Sequence, residues 1–318
     1  MKKILTILLL LSFTADLSAI DHPGAVKPGI HSEDFVLIEN GKPIPIIVSF
    51  SDNQAVMHAV EDLQNDFMMV SGVKPQLCGS VTSDRAIIVG SLESEIIQNL
   101  AAKGLLDVTP LQGRNEKYLI TFVQNPMDGV SEALVIAGSD RRGTVYGIYE
   151  LSEQIGVSPW YDWADVPVAR HKDMAIARGT YTAGEPAVRY RGIFLNDEAP
   201  CLTGWVKHTY GTDYGDHRFY ERVFELLLRL RANFLWPAMW SWAFYEDDPL
   251  NSRTADEMGI IVGTSHHEPM ARNHQEWARR RSEYGVWDYA SNQKVIDQFF
   301  REGIERAADT EDLITIGM

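Results

Sequence analysis

The sequence predicts an α/β fold: a small α/β sandwich domain followed by the first part of a (β/α)8 TIM-type barrel, truncated after about strand four. Three observations predict it. All eight tryptophans lie after residue 159, so composition divides the chain. In both halves, short β-branched runs alternate with stretches of helical apolar spacing. The second half repeats a strand-helix unit and stops on a strand, which leaves a parallel sheet short of cover and of closure. At 318 residues the chain accommodates two domains of ordinary size.

Taken in order, residues 1–19 predict a signal peptide. Lys2 and Lys3 start it, Ile4 to Phe13 is its apolar core, and Ala15 to Ala19 offers small residues for cleavage. The run is too short to span a membrane, and no cysteine near the cleavage site offers a lipid anchor. A periplasmic or secreted location follows. Residues 20–180 form the accessory α/β domain. Phe35 to Ile38 and Ile44 to Val48 read as a hairpin around Asn40-Gly41. Ala55 to Val70 reads as a helix, because Val56, Val60, Leu63, Phe67 and Val70 recur on one face. Strands at 86–89, 118–123 and 133–137 and helices at 93–103 and 144–155 complete the domain, each of those helices stopped by a glycine, Gly104 or Gly156.

The segment 180–186 contains Gly184 and Pro186 and reads as a linker. Residues 181–318 then supply strands at 190–195, 234–239, 260–263 and 313–318. Helices are expected at 219–232, 254–258 and 293–308.

The formal charge is −15, so nucleic acid is not an expected partner. Cys78 and Cys201 fall in different domains and are expected as two free, mostly buried thiols. The stretch Gly138-Ser-Asp-Arg-Arg-Gly143 follows a strand and opens a helix, which brings a phosphate loop to mind. The Lys-Ser/Thr pair of that loop is missing, as is a G-x-G-x-x-G pattern, so a tight turn and helix cap is the better reading. No cofactor motif remains.

In a barrel of this kind the chemistry sits at the C-terminal ends of the strands. Three ends are legible: Asn196-Asp197-Glu198, then Trp236 to Trp242, then His266-His267-Glu268. A catalytic metal is not expected. His267-Glu268 lacks the second histidine of H-E-x-x-H, and adjacent strand residues point to opposite sides, so His266 and His267 do not share an ion. On that reasoning His267 packs inward and Glu268 orients a histidine. Carboxylates beside many tryptophans fit sugar chemistry, since glycosidases use paired acids and pyranose rings stack on aromatics. Capping or ion pairing is the competing role for Asp197 and Glu198.

Three stretches carry a resemblance: Tyr190 to Glu198 (YRGIFLNDE), Asn233 to Trp240 (NFLWPAMW) and Gly263 to Met270 (GTSHHEPM). Together they resemble glycoside hydrolase family 115, α-glucuronidases that remove glucuronic acid or its 4-O-methyl form from xylan and similar polysaccharides. Gly138 to Gly147 and Ser158 to Trp163 resemble the accessory domain that precedes the barrel in that family. The resemblance implies a secreted enzyme with an inverting mechanism and a polysaccharide substrate, and it allows a homodimer in the full-length protein. It implies that Asp197 and Glu198 match the first-strand acidic position. Trp240 matches a pocket aromatic and His266 a substrate-contacting histidine, with Asn196, His267 and Glu268 beside them. The family's other acids are expected on strand four and later, so the chain is expected to be inactive by itself. A uronate is anionic, so donors such as Arg191, Lys207, His208 and Arg272 are wanted near the site. A non-catalytic glycan-binding protein and another barrel glycosidase, such as a hexosaminidase, are the alternatives.

Overall fold

The computed structural model describes residues 24–317; the expected leader lies outside them. In chain order the front part contains β1 (Val26–Pro28), β2 (Phe35–Glu39), β3 (Lys42–Pro43), β4 (Ile46–Val48), α1 (Gln54–Ser71), β5 (Leu77–Cys78) and β6 (Ser83–Ser91). It continues with α2 (Glu95–Ala102), β7 (Tyr118–Met127), β8 (Val130–Gly138), α3 (Arg141–Gln154) and β9 (Met174–Ile176). One sheet runs β5-β4-β6-β8-β7, parallel except for β7. Alternation along its strands sorts the two faces. Ile46, Val48, Ile87, Val89, Leu134 and Ile136 pack with α1 and α3. Ile47, Ala86, Ile88, Ala133 and Val135 pack with Ile97 and Leu100 of α2. Both faces are therefore dry, as parallel strands require.

The hairpin at Asn40-Gly41 forms between β2 and β3, not between β2 and β4. Pro45 has no N–H to extend the ladder, and β4 leaves for the larger sheet, where it pairs with β5 and β6. A four-stranded sheet, β1-β9-β2-β3, closes the front part. Tyr181 still bridges to Ile120, with its N–H 2.9 Å from the Ile120 carbonyl. Helix α1 begins as expected, with the Asn53 side chain accepting from the Ala55 N–H at 3.0 Å. It ends on Gly72 in the left-handed conformation.

The second part contains β10 (Gly192–Phe194), α4 (Leu202–Tyr210), α5 (His217–Arg229), β11 (Phe234–Trp236), α6 (Phe244–Asp247) and α7 (Leu250–Met258). After them come β12 (Ile261–Val262), α8 (His274–Arg279), α9 (Arg281–Tyr284) and α10 (Tyr289–Arg306). Strands β10, β11 and β12 are parallel and neighbour one another in chain order, with helices between them, as successive βα units demand. The strand expected at 313–318 is a single parallel bridge, Leu313 to Gly263. Its N–H donates to the Val262 carbonyl at 2.8 Å. The strands stand close because Gly192 has no side chain: a Cβ there would lie 1.8 Å from the Phe234 carbonyl oxygen.

The two parts share one core. Helix α5 buries Phe219, Tyr220, Val223 and Phe224, and this cluster runs on into α1 and α3. A buried pair crosses the junction. Arg229 Nη1 and Nη2 each donate at 3.0 Å to the Asp66 carboxylate, a fork-to-fork geometry.

Candidate active site

Asp197 follows β10 and is only 2% exposed. Its Oδ1 accepts the Trp240 N–H at 3.0 Å. Its Oδ2 accepts the Ser241 N–H at 2.6 Å, the Ser241 hydroxyl at 2.8 Å and the Trp242 N–H at 3.0 Å. The loop after β11 is thus wrapped around one carboxylate. Both oxygens are occupied by fixed donors, a geometry that positions a loop rather than passing a proton. Neighbouring Asn196 and Glu198 are exposed. Glu198 is the acid of the pair that solvent reaches.

The wrapped loop presents Trp240, 47% exposed. Its ring centroid lies 5.5 Å from that of His267, and His267 lies 4.1 Å from His266 and 5.8 Å from His274. The expectation that the two histidines point apart is corrected. β12 ends at Val262, and His266 and His267 occupy a turn where strand alternation does not operate. Both are exposed, and His267 faces Trp240 instead of packing inward.

Glu268 does not orient a histidine. It is 2% exposed and accepts the Ser265 N–H at 3.2 Å and Asn273 Nδ2–H at 2.7 Å. Burial pushes its carboxyl up to about 7, against the pull of these two hydrogen bonds. Asn273 escaped the sequence reading, yet it ties the rim together. Its amide donates to the carbonyls of Met239 at 3.2 Å and Trp242 at 2.9 Å as well as to Glu268. Its side-chain oxygen caps α8, with Glu276 completing a capping box. The Asn273-His-Gln-Glu276 spacing was the available signal. Asp197 and Asn273 therefore hold the 239–242 loop from two sides.

The basic residues named as candidate donors part company. Arg191 turns to the junction with the front part, where it pairs with Glu116 at 2.6 Å. Lys207 pairs with exposed Asp213 at 2.6 Å. Arg272 stays near the rim, stacked over Phe299 at 3.8 Å.

The Gly138–Gly143 turn is a cap and a clamp. Asp140 accepts the Gly143 N–H at 2.8 Å. A Cβ on Gly138 would lie 2.0 Å from Thr144 N, and one on Gly143 2.3 Å from the Lys117 carbonyl oxygen. Arg141 and Arg142 reach across to the Asp256 and Gly259 carbonyls at 2.9 and 2.6 Å. Both cysteines are free, but Cys201 is exposed, which corrects the expectation of two buried thiols. Among the described residues no group of three or more His, Cys, Asp or Glu stands close enough to hold a metal ion. None of the described helices is long and apolar enough to cross a membrane.

With the rim assembled, its relatives can be named. The family model for glycosyl hydrolase family 115 matches residues 183–318. Residues 183–318 belong to glycosyl hydrolase family 115. The chain is also similar to the solved structure of a family 115 4-O-methyl-α-glucuronidase with specificity for decorated arabinogalactans. That likeness has 34% identity and a TM-score of 0.76, and it covers 90% of this chain and 36% of that one. The chain thus spans about a third of that enzyme's length. Two further structures match at low identity. Flavobacterium johnsoniae chitobiase matches at 11%, with a TM-score of 0.42, over 77% of this chain and 34% of that one. A Streptomyces coelicolor A3(2) β-N-acetylhexosaminidase matches at 13%, with a TM-score of 0.43, over 77% and 45%. No curated protein sequence matches the chain.

Proposed function

We propose that the full-length protein is a secreted glycoside hydrolase that releases glucuronic acid, or its 4-O-methyl form, from a decorated polysaccharide such as xylan or arabinogalactan. The observation that carries this reading is the wrapped loop. Asp197 fixes the backbone of residues 240–242, and so presents an open tryptophan face beside His266 and His267. An aromatic face receives the apolar side of a pyranose. The imidazoles donate to its hydroxyls or carboxylate. The family match of residues 183–318 supports the same reading.

In the proposed inverting reaction one carboxylic acid protonates the departing oxygen. The other, about 6.5–9.5 Å away, activates water across the ring. Glu198 is the carboxylate this chain offers, because Asp197 is committed to the loop. By the family resemblance the second carboxyl belongs to strand four or later. The chain of 318 residues is then a substrate-holding segment that does not turn over substrate alone.

The occupied oxygens of Asp197 also favour a second reading, a glycan-binding protein without catalysis. One assay separates the two. Full-length protein and the 318-residue chain are incubated with glucuronate-decorated xylan and arabinogalactan, and free uronic acid is quantified with its anomer resolved at early times. Release of the inverted anomer by the full-length protein alone supports the hydrolase. Binding without release by either form supports the second reading.

A further inference from the structure

At the junction of the two parts, α1, α3, the end of α5 and the 158–163 loop meet around one guanidinium, that of Arg229, 6% exposed. Asp66 of α1 takes its Nη1 and Nη2 at 3.0 Å, and Glu225 of α5 takes its Nε at 2.7 Å. Its central carbon lies 4.6 Å from the ring centroid of Tyr149, on α3, and 5.1 Å from that of Tyr161, in the loop, so the cation also rests over two aromatic faces. Each tyrosine hydroxyl in turn donates to an acid. Tyr161 donates to Glu225 at 3.0 Å and Tyr149 to Asp62 of α1 at 2.6 Å.

The charges here do not balance. Asp62, Asp66 and Glu225 share a single cation. The guanidinium nitrogens are all engaged by Asp66 and Glu225, which leaves Asp62 a neutral hydroxyl as its partner. The flanking arginines have acids of their own: Arg222 pairs with Asp162 at 2.8 Å, and Arg231 pairs with Glu150. A third carboxylate beside a cation already committed is relieved by holding a proton. Burial pushes the Asp62 carboxyl up to about 7; Glu225 and Asp66 push the same way, against Arg229 and the Tyr149 hydroxyl. Asp62 is still half-buried rather than sealed, so water can deliver and remove that proton.

We infer that Asp62 is the proton-bearing member of a latch that fastens the front part to the second part, and that the latch is tightest at acid pH. Asp62 stands on α1 of the front part, and the acid it opposes, Glu225, stands on α5 of the second. Opening the junction returns Asp62 to water, where its carboxyl regains the ordinary value of 3.8 and gives up the proton. Rising pH therefore favours opening from about pH 4 to about pH 7. Above that window the closed latch has itself ionised, and this group adds no further pH dependence. None of these residues takes part in the rim, so the latch stands or falls apart from the glycan reading.

The test uses the full chain with Asp62→Asn and Glu225→Gln variants. Asp62→Asn keeps an acceptor for Tyr149 and cannot ionise. Hydrogen exchange of the α5 end and the 158–163 loop, corrected for its intrinsic pH dependence, reports how often the junction opens. In the unmutated chain opening should rise with pH between 5 and 7. In Asp62→Asn the rise should be about tenfold smaller per pH unit, the effect of one proton. Equal slopes in the two proteins overturn the latch. Difference infrared spectra read the proton directly and do not depend on the Asp62 variant. The unmutated chain should show a protonated carboxyl that ionises near pH 7. Glu225→Gln keeps an acceptor for Arg229 and Tyr161 but removes the facing charge, so that titration should move toward the ordinary carboxylate range. A titration unmoved by Glu225→Gln also overturns the proposal.

Discussion

Replacing Asp197 with alanine removes the acceptor of four hydrogen bonds at a site 2% exposed. Ser241 is exposed and can turn to water, but Trp242 is buried, so its N–H is left without a partner. A hydrogen bond to a charged group contributes about 1.5–3 kcal/mol, and an orphaned buried donor costs about 1–3 kcal/mol. The combined loss is about 3–5 kcal/mol. Asp197→Asn keeps one acceptor and turns an NH2 toward either Trp240 N–H or the Ser241 and Trp242 donors. It should cost about 2 kcal/mol. Urea denaturation read by tryptophan fluorescence measures both. Glycan affinity should fall with stability, because the Trp240 platform is held by this carboxylate. A stable Asp197→Ala variant, within about 1 kcal/mol of wild type and binding glycan normally, would refute the positioning role and return Asp197 to the list of catalytic acids.

Other outcomes follow from the same geometry. Glu268, ordinarily near 4.5, sits at about 7, so the folded state holds a proton between these values that the unfolded chain has released. Stability contributed by this group therefore falls as pH rises through that window, by about 3 kcal/mol at about 1.4 kcal/mol per pH unit. Glu268→Gln should remove that slope in melts taken from pH 4.5 to 8; an unchanged slope would assign it elsewhere. Asp66→Ala strips both Nη atoms of the buried Arg229 guanidinium of their carboxylate, leaving it only the Nε contact to Glu225 at 2.7 Å, and should cost about 3 kcal/mol in denaturant titrations. Gly192→Ala drives a Cβ into the Phe234 carbonyl and should cost at least about 3 kcal/mol, read as loss of soluble folded chain. Trp240→Ala keeps its backbone bond to Asp197, so stability should move by less than about 1 kcal/mol while oligosaccharide affinity drops about tenfold.

Legibility followed the range of the interactions. Helix α1 was readable because Val56, Val60, Leu63, Phe67 and Val70 mark one face, and all five are buried. The sheet β1-β9-β2-β3 was not, because its pairing of Val26 with Ile176 joins three-residue strands from opposite ends of the front part. Ile46–Val48 was recognised as a strand but assigned to the wrong sheet, since a hairpin signal reports nearness in sequence and not the partner. At the site, the rim clusters after β10, β11 and β12 were visible as composition. The assignment of His267 failed because a period of two was carried past Val262, where the strand ends.

The sequence by itself determined the α/β class, the run of βα units, the helix faces and the three rim motifs, all of which are local patterns of polarity and residue type. Only the tertiary structure decided what the rim residues do. Asp197 became a loop anchor because its oxygens meet backbone N–H groups 43 to 45 residues away. Asn273 became a junction because its amide meets carbonyls 31 and 34 residues away. A carboxylate's role depends on which donors surround it and on whether water reaches it, and both are set by folding.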